Sequence, residues 1–239
     1  MKYRHSGLAL MGLMLIVASG SVVAGPMFEV SEYEYDWGKT CQHATVSHRF
    51  WIESTGDDTL VITKIIPGCG CTKAPIRDSV LAPGEKTPLD LFFSTKSYRG
   101  IVEKAPYFET NIDDRKVYMR IKAELIPEPE SMRPVYPSPY KVDVSQFRPT
   151  PPRTKTKFYI VNPSETDYNL TLVDHPEYVF SVEMPEIVRA GDSARVVIDV
   201  KEEYIEQEFE HSLTFSIDDE QNSRFSVPVE RMLRIKKRN

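Results

Sequence analysis

The feature that most constrains the fold of this 239-residue chain is an internal repeat of short, alternating apolar and polar segments. The offset between the two copies is 108 residues from Phe50 to Phe158 and 107 residues from Gly84 to Gly191. The matching pairs of segments are residues 49–56 and 157–164, residues 89–93 and 196–200, and residues 108–114 and 215–219. Each copy has the two-residue period of half-buried strands, with turns rich in Pro, Gly and Asp between them. The sequence therefore predicts an all-β protein built from two tandem immunoglobulin-like β-sandwich domains.

The predicted division of the chain follows its composition. Residues 126–139 hold five prolines, which lack the N–H donor of an interior strand and are typical of a semi-rigid linker. The predicted parts are a signal peptide at 1–24, a first Ig-like domain at 25–126, a proline-rich linker at 127–139, a second Ig-like domain at 140–233 and a basic tail at 234–239.

The N-terminus has the pattern of a secretory signal. Lys2 and Arg4 precede the apolar residues 7–18, and small residues then suit cleavage after Ala24. We expect a periplasmic or extracellular protein with no stable membrane span after cleavage. An uncleaved anchor is the alternative, although the apolar run is short for a span of ~20 residues.

Charge and motifs exclude several functions. Removal of residues 1–24 takes away Lys2 and Arg4 and leaves 28 Lys and Arg against 35 Asp and Glu, a net charge of −7. A chain this acidic, without a long basic stripe, is a poor nucleic-acid binder. The sequence has no nucleophile elbow, zinc-protease helix motif, phosphate loop or dinucleotide fingerprint, so we expect no enzyme activity.

Two of the three cysteines lie one glycine apart, at Cys69 and Cys71. Residues 59–66, directly before them, form a β-branched run that predicts a strand, so we expect both sulfurs on a solvent-accessible loop at its end. Two sulfurs this close can form a strained disulfide, bind a soft metal or act as a redox pair. The second copy of the repeat has no cysteine, so the thiols are not needed to fold the sandwich.

The same residues give two sets of candidates. Cys69 and Cys71 suit Cu(I), and with Cys41 and His43 they would make a Cys₃His site that zinc also accepts. His48 alternates with Val46 and Phe50 and so faces inward, either as a core histidine bonded to backbone or as a further ligand. In an oxidising compartment, three cysteines predict one disulfide and one spare thiol, and the candidates are all three pairings of Cys41, Cys69 and Cys71.

Residues 28–125 resemble a bacterial family, the "domain of unknown function 1573". The matching segments are Trp37-Gly38, residues 46–57, residues 60–62, Cys69-Gly70-Cys71-Thr72, residues 82–85 and Asn111. The chain departs from the family pattern at Ser54, where the family favours asparagine, and near Cys41 and His43, where it favours glycine. The resemblance implies a secreted, Hydin-type Ig-like sandwich and no established activity. The order of the cysteine pair and the Pro83-Gly84-Glu85 turn is also similar to that in the Ig-like copper chaperones of cytochrome oxidase assembly, whose flanking phenylalanines are absent here.

We therefore expect a non-enzymatic, exported binding or assembly protein with a protein partner, which could pair with an edge strand of a sandwich. The alternatives are a Cu(I) or Zn carrier acting through the cysteine loop and a thiol–disulfide exchange factor that uses the same pair.

Overall fold

The computed structural model describes residues 25–148 and 151–235. The predicted signal peptide and residues 236–239 of the predicted basic tail lie outside the described residues. Within the described ranges the chain forms two immunoglobulin-like β-sandwiches, which confirms the predicted fold class. No helix among these residues is long or apolar enough to cross a membrane.

The first sandwich follows the predicted alternation closely. Its strands are β1 (Phe28–Val30), β2 (Glu34–Cys41), β3 (Thr45–Ser54), β4 (Leu60–Ile66), β5 (Thr72–Lys73), β6 (Val80–Leu81), β7 (Lys86–Ser94), β8 (Gly100–Lys104), β9 (Tyr107–Thr110), β10 (Val117–Tyr118) and β11 (Arg120–Ile126). Along β3, Phe50 and Ile52 are fully buried while Trp51 between them faces outward. One sheet has the order β1-β3-β7-β5, and the opposing sheet contains β10-β9-β4-β6.

The second sandwich repeats this order. Its strands are β12 (Tyr136–Ser138), β13 (Val142–Asp143), β14 (Gln146–Arg148), β15 (Lys155–Val161), β16 (Tyr168–Asp174), β17 (Phe180–Glu183), β18 (Ile187–Val188), β19 (Ser193–Val200), β20 (Phe209–Ile217), β21 (Arg224–Arg231) and β22 (Leu233–Ile235), with a short 3-10 turn at Glu202–Tyr204. One sheet runs β12-β15-β19-β17, strand for strand the equivalent of β1-β3-β7-β5. Even the register is kept, because Phe50 lies opposite Leu89 and Phe158 lies opposite Val196.

The two copies differ in the last two strands of the repeat. In the second sandwich, β20 and β21 are each continuous. In the first sandwich the equivalent strands are each interrupted, β8 from β9 by Ala105-Pro106 and β10 from β11 by Met119. Pro106 has no N–H to donate, and its carbonyl accepts from the N–H of Met119 at 2.8 Å, so the two interruptions lie opposite each other. The two halves lie in different sheets: β8 pairs with β11, which also pairs with β2 in parallel, whereas β9 pairs with β10 and β4.

A single sheet joins the two sandwiches. Its order is β18-β16-β20-β21-β2-β11-β8, with β13 also paired to β21. The junction between β2 and β21 is the pair Lys39 and Phe225, and it is reinforced by a 2.8 Å hydrogen bond from Thr40 Oγ1 to the carbonyl of Ser226. Gly38 beside it has a φ of +65°, and a Cβ at this position would collide with the backbone of Arg224. The close contact of the two sandwiches therefore depends on this glycine.

The proline-rich segment predicted as a linker carries structure of its own. It holds a 3-10 turn at Pro129–Ser131 and strand β12, which pairs with β15. Met132 and Val135 are buried in the hydrophobic core of the second sandwich. The predicted domain limits stay a prediction, but this segment contributes to the second core instead of running freely between domains.

Candidate functional site

The cysteine pair lies on the connection between β4 and β5, residues 67–71, which we call the cysteine loop. Gly68 has a φ of +82°, a conformation that favours glycine and lets the chain turn after β4. Cys69 and Cys71 are joined in a disulfide, with their Cα atoms 5.2 Å apart. Thr72 then pairs with Phe93 of β7, so the loop is held at the outer strand of its sheet.

The two sulfurs of this disulfide have different surroundings. Cys71 is 3% exposed and belongs to the hydrophobic core of the first sandwich, whereas Cys69 is half-buried at the rim of that core. The expectation that both sulfurs face solvent is therefore wrong for Cys71. The reason is that the chain has rejoined the sheet there, since the Ser94 N–H donates to the Cys71 carbonyl at 2.8 Å.

Hydrogen-bond donors gather around the sulfur of Cys69. The backbone N–H of Cys71 donates to it at 3.3 Å, and the Thr72 hydroxyl oxygen is also 3.3 Å away. Donors at these positions stabilise a thiolate more than a thiol, so they would favour the charged form of Cys69 after reduction.

Cys41, the third cysteine, is a free thiol at the end of β2. It is 1% exposed, and its sulfur lies 3.9 Å from the carbonyl oxygen of Tyr140 in the second sandwich. Burial raises the pKa of Cys41 to about 11, so it stays protonated at neutral pH. This thiol is a packing element of the contact between the sandwiches.

The structure does not bring the predicted metal ligands together. His43 is exposed on the turn between β2 and β3, His48 lies in the middle of β3, and Cys41 is buried apart from the disulfide. Within residues 25–148 and 151–235, no group of three or more His, Cys, Asp or Glu side chains is arranged to hold a metal ion. Binding of Cu(I) or Zn by Cys69 and Cys71 stays a prediction.

His48 lies instead between two carboxylates. Its Nδ1 is 2.7 Å from Asp174 of the second sandwich, its Nε2 is 2.8 Å from Glu32, and its ring stacks on Tyr35 at 3.6 Å. Burial alone would lower the pKa of His48, but its hydrogen bonds to Asp174 and Glu32 outweigh burial and raise it. An imidazolium can donate from both nitrogens, so His48 links the sandwiches as a cation. The inward direction was predicted correctly, and the expected backbone partner was wrong.

The second sandwich has a loop equivalent to the cysteine loop. Residues 175–179, between β16 and β17, have the same length and lie 108 positions later, and we call them the docked loop. The Tyr178 ring lies 3.7 Å from the Arg49 guanidinium of the first sandwich. Asp90 holds that guanidinium through bonds of 2.6 and 2.8 Å. The docked loop thus attaches one sandwich to the other.

His211 completes this contact. Its ring lies 5.9 Å from that of Tyr178, and its Nδ1 is 3.1 Å from the hydroxyl of Ser47. The Ser47 N–H in turn donates to the hydroxyl of Ser212 at 2.9 Å. Burial lowers the pKa of His211 to about 4, so the ring is neutral in the folded protein.

Two clefts follow the junction of the sandwiches on either side of the Phe92–His211 contact. One, of about 660 Å³, is lined by Trp51, Arg49 and the docked loop. The other, of about 770 Å³, has Gly70 and Cys71 at its wall. Both loops therefore border a cleft, but Gly70 of the cysteine loop is exposed, whereas Tyr178 at the equivalent position of the docked loop packs on Arg49.

Sequence reasoning missed Glu32, Asp174, Tyr178 and Arg49. Each is a charged or aromatic residue whose role depends on contacts between separate parts of the chain, and even for Arg49, inside the matching segment 46–57, the sequence does not mark the partner. The repeat offset did carry one signal, because adding it to residues 67–71 gives residues 175–179.

Residues 28–125, which hold the cysteine loop and all of β1–β10, match the model of a family described as "Protein of unknown function (DUF1573)". The first sandwich is a DUF1573 domain. This confirms the resemblance found in the sequence over the same residues. No curated protein matches the chain.

Solved structures similar to the chain are also known. One is a protein of unknown function from Porphyromonas gingivalis W83, at 14% identity over 86% of this chain and 99% of that chain, with a TM-score of 0.36. Another is a PapD-like domain of human CEP192, at 9% identity over 52% and 99%, with a TM-score of 0.35. The E. coli chaperone DraB has 11% identity over 87% and 97%, with a TM-score of 0.28. At these identities and scores, the structures carry no argument about the role of the DUF1573 domain.

Proposed function

We propose that the chain is a binding module of an exported protein and that it accepts a strand of a partner protein along β8. The observation that carries this proposal is the position of β8. It is the outer strand of the sheet that joins both sandwiches, it is five residues long, and its Ile101 side chain is 65% exposed. An open edge strand has unpaired backbone groups that can bond a further strand.

The other edges offer less. The opposite end of the same sheet is β18, with two residues, and the edges β5, β6 and β10 also have two residues each. Strand β17 is four residues long, but its Phe180 points into the core. On β8 the charged Glu103 and Lys104 follow the apolar Ile101 and Val102, a mixture that limits self-association while leaving apolar contact for a specific partner.

The junction between the sandwiches supports a binding role. His48 and Asp174, Thr40 and Ser226, and Arg49 and Tyr178 all connect the two sandwiches. A module held in one arrangement loses less conformational freedom when it binds, which favours affinity.

Export is the second part of the proposal. The signal pattern of residues 1–24 supports it, as does the Cys69–Cys71 disulfide, because disulfides persist in oxidising compartments such as the periplasm. Cell fractionation with N-terminal sequencing of the protein tests it: a periplasmic or extracellular chain beginning at Gly25 is expected, and a cytoplasmic chain that keeps Met1 would contradict it.

Site-specific photo-crosslinking tests the binding surface. A photoreactive amino acid at Ile101, in the full chain expressed in its native compartment, should give one discrete adduct with another protein. The matched control is the same amino acid at Val80, which is 58% exposed on β6 and so offers a similar apolar surface away from β8. Adducts of equal yield at both positions, or none at Ile101, would contradict strand pairing at β8.

A further inference from the structure

The unequal surroundings of the two bridged sulfurs allow an inference about the cysteine loop that is independent of strand pairing at β8. We propose that the Cys69–Cys71 disulfide is a thiol–disulfide exchange site for cysteines of other proteins, in which Cys69 forms the mixed disulfide and Cys71 resolves it.

Access supports the assignment of Cys69. In thiol–disulfide exchange, a sulfur of the partner must come into contact with the reacting sulfur of the loop, in whichever direction the reaction runs. Cys69 is half-buried at the surface, whereas Cys71 is 3% exposed within the core. The glycine between them leaves space for the approach, because a Cβ built on Gly70 would meet no atom within 4 Å.

The hydrogen bonds support the same assignment. The Cys71 N–H and the Thr72 hydroxyl both lie 3.3 Å from the Cys69 sulfur, whereas the Thr72 hydroxyl is 3.9 Å from the Cys71 sulfur. After reduction these groups would stabilise the Cys69 thiolate, which is the nucleophile of thiol exchange. The two cysteines therefore react in a fixed order: the Cys69 thiolate at the surface reacts first, and the buried Cys71 thiol reacts second.

The reaction balances without a cofactor. In the reduced loop, the Cys69 thiolate attacks a disulfide of the partner, which forms a Cys69–partner bond and releases one partner thiolate that takes up a proton. The Cys71 thiol then loses its proton and attacks Cys69, which forms the Cys69–Cys71 disulfide and releases the second partner thiolate. The loop is oxidised by two electrons and the partner disulfide is reduced by two. The reverse reaction passes through the same mixed disulfide.

The third cysteine does not compete. Cys41 is 1% exposed, with a pKa raised to about 11 by burial, so it is slow to exchange in the folded protein. Exchange is therefore confined to the loop and leaves the junction between the sandwiches intact.

The equivalent loop of the second sandwich shows that a loop at this place contacts protein. Tyr178 of the docked loop lies 3.7 Å from Arg49, and Asp174 beside it bonds His48 at 2.7 Å. The cysteine loop has the same length and the same place between equivalent strands, but its glycine faces open space. This position suits transient contact with a second protein.

Selective alkylation of the wild-type protein tests the order of the pair. After mild reduction, the full chain is treated with iodoacetamide at neutral pH for increasing times and each cysteine is followed by peptide mass mapping. We expect Cys69 to react at least about tenfold faster than Cys71, with Cys41 unlabelled until the protein is denatured. Equal rates at Cys69 and Cys71, or faster labelling of Cys71, would overturn the assignment.

Exchange itself is tested with glutathione disulfide. The Cys71→Ser variant should form a glutathione adduct on Cys69, and the Cys69→Ser variant should form it at least about tenfold more slowly. Thermal melting of both variants establishes that each is folded at the temperature of the assay. In the oxidised wild-type protein, reduced glutathione followed by acid quenching should place the adduct on Cys69. An adduct mainly on Cys71, or no adduct on folded Cys71→Ser, would contradict the proposal whatever the result at β8.

Discussion

The cysteine loop and the docked loop occupy equivalent positions in the two sandwiches but make different contacts. Residues 67–71 connect β4 to β5, and residues 175–179 connect β16 to β17, equivalent strands in sheets of the same order. The docked loop uses Tyr178 to hold the first sandwich, while the cysteine loop carries a disulfide next to open space. The comparison teaches that the framework is independent of the chemistry at this connection, so each loop can be altered without loss of the fold of its sandwich.

The largest expected effect is a loss of stability in acid, through His211, which contacts Tyr178 of the docked loop. The pKa of His211 is lowered to about 4 from an ordinary value of 6.5. Between these pH values, His211 is protonated in the unfolded chain and neutral in the folded chain. Stability is therefore lost as pH falls from 6.5 toward 4, by about 3 kcal/mol in total for this residue. Urea unfolding between pH 7 and pH 4 measures it, and His211→Gln should remove most of this loss.

The other histidine linking the sandwiches acts in a different range. The pKa of His48 is raised, so its contribution is fully present below 6.5 and is lost only as pH rises through its folded value. His175, whose pKa burial lowers, adds to the loss in acid, which is why the His211→Gln variant is needed. An unchanged acid profile in His211→Gln would show that His211 is not the source.

Removal of the Asp174 side chain should break the link between His48 and the second sandwich. Asp174→Ala at pH 6 is expected to lower the free energy of unfolding by about 2 kcal/mol, since it removes a hydrogen bond between charged groups beside a buried imidazolium. The loss should shrink as pH rises above 6.5 through the folded pKa of His48, where the ring gives up its proton. Glu220→Ala, in an exposed turn, is the control and should stay within about 0.5 kcal/mol. A loss that stays the same across a pH titration from 6 upward would contradict a charged His48.

Tyr178→Ala tests the docked loop itself. It removes the ring that lies 3.7 Å from Arg49, and we expect a loss of about 1.5 kcal/mol in urea unfolding. Tyr178→Phe keeps the aromatic face and should be close to the wild type. If the alanine variant unfolds like the wild type, the loop does not attach the sandwiches.

The matching change in the cysteine loop should have the smallest effect. Gly70→Ala adds a methyl group that meets no atom within 4 Å, so the free energy of unfolding should change by less than about 0.5 kcal/mol. A large loss in thermal or urea unfolding would mean that residue 70 is packed against the protein as Tyr178 is, and the contrast between the two loops would fail.

Much of the architecture could be predicted because strand period acts locally. The alternation of β3 placed Phe50 and Ile52 inside and turned His48 inward, and all three are buried. The repeat predicted two sandwiches because register is kept between the copies, as Phe50 and Phe158 show.

Less of the site could be predicted from the sequence, because its contacts join residues that are far apart along the chain. Asp174 lies 126 positions from His48, and nothing in either segment marks the pair. The burial of Cys71 depends on where the chain rejoins β7, which the spacing of two cysteines does not encode. Cys69, Cys71, Cys41 and His43 were grouped by residue type, but the structure joins only Cys69 to Cys71, with Cys41 a buried free thiol and His43 exposed on a turn.

Disulfide mapping of the protein purified from its native compartment tests the central claim most directly, because the contrast between the loops rests on which cysteines are bridged. Alkylation without reduction, followed by proteolysis and mass spectrometry, should give one peptide with Cys69 joined to Cys71 and two hydrogens missing, and a separate peptide with Cys41 as a free thiol. A bridge from Cys41 to either loop cysteine would contradict the account, since the loop would then be tied to the junction of the sandwiches.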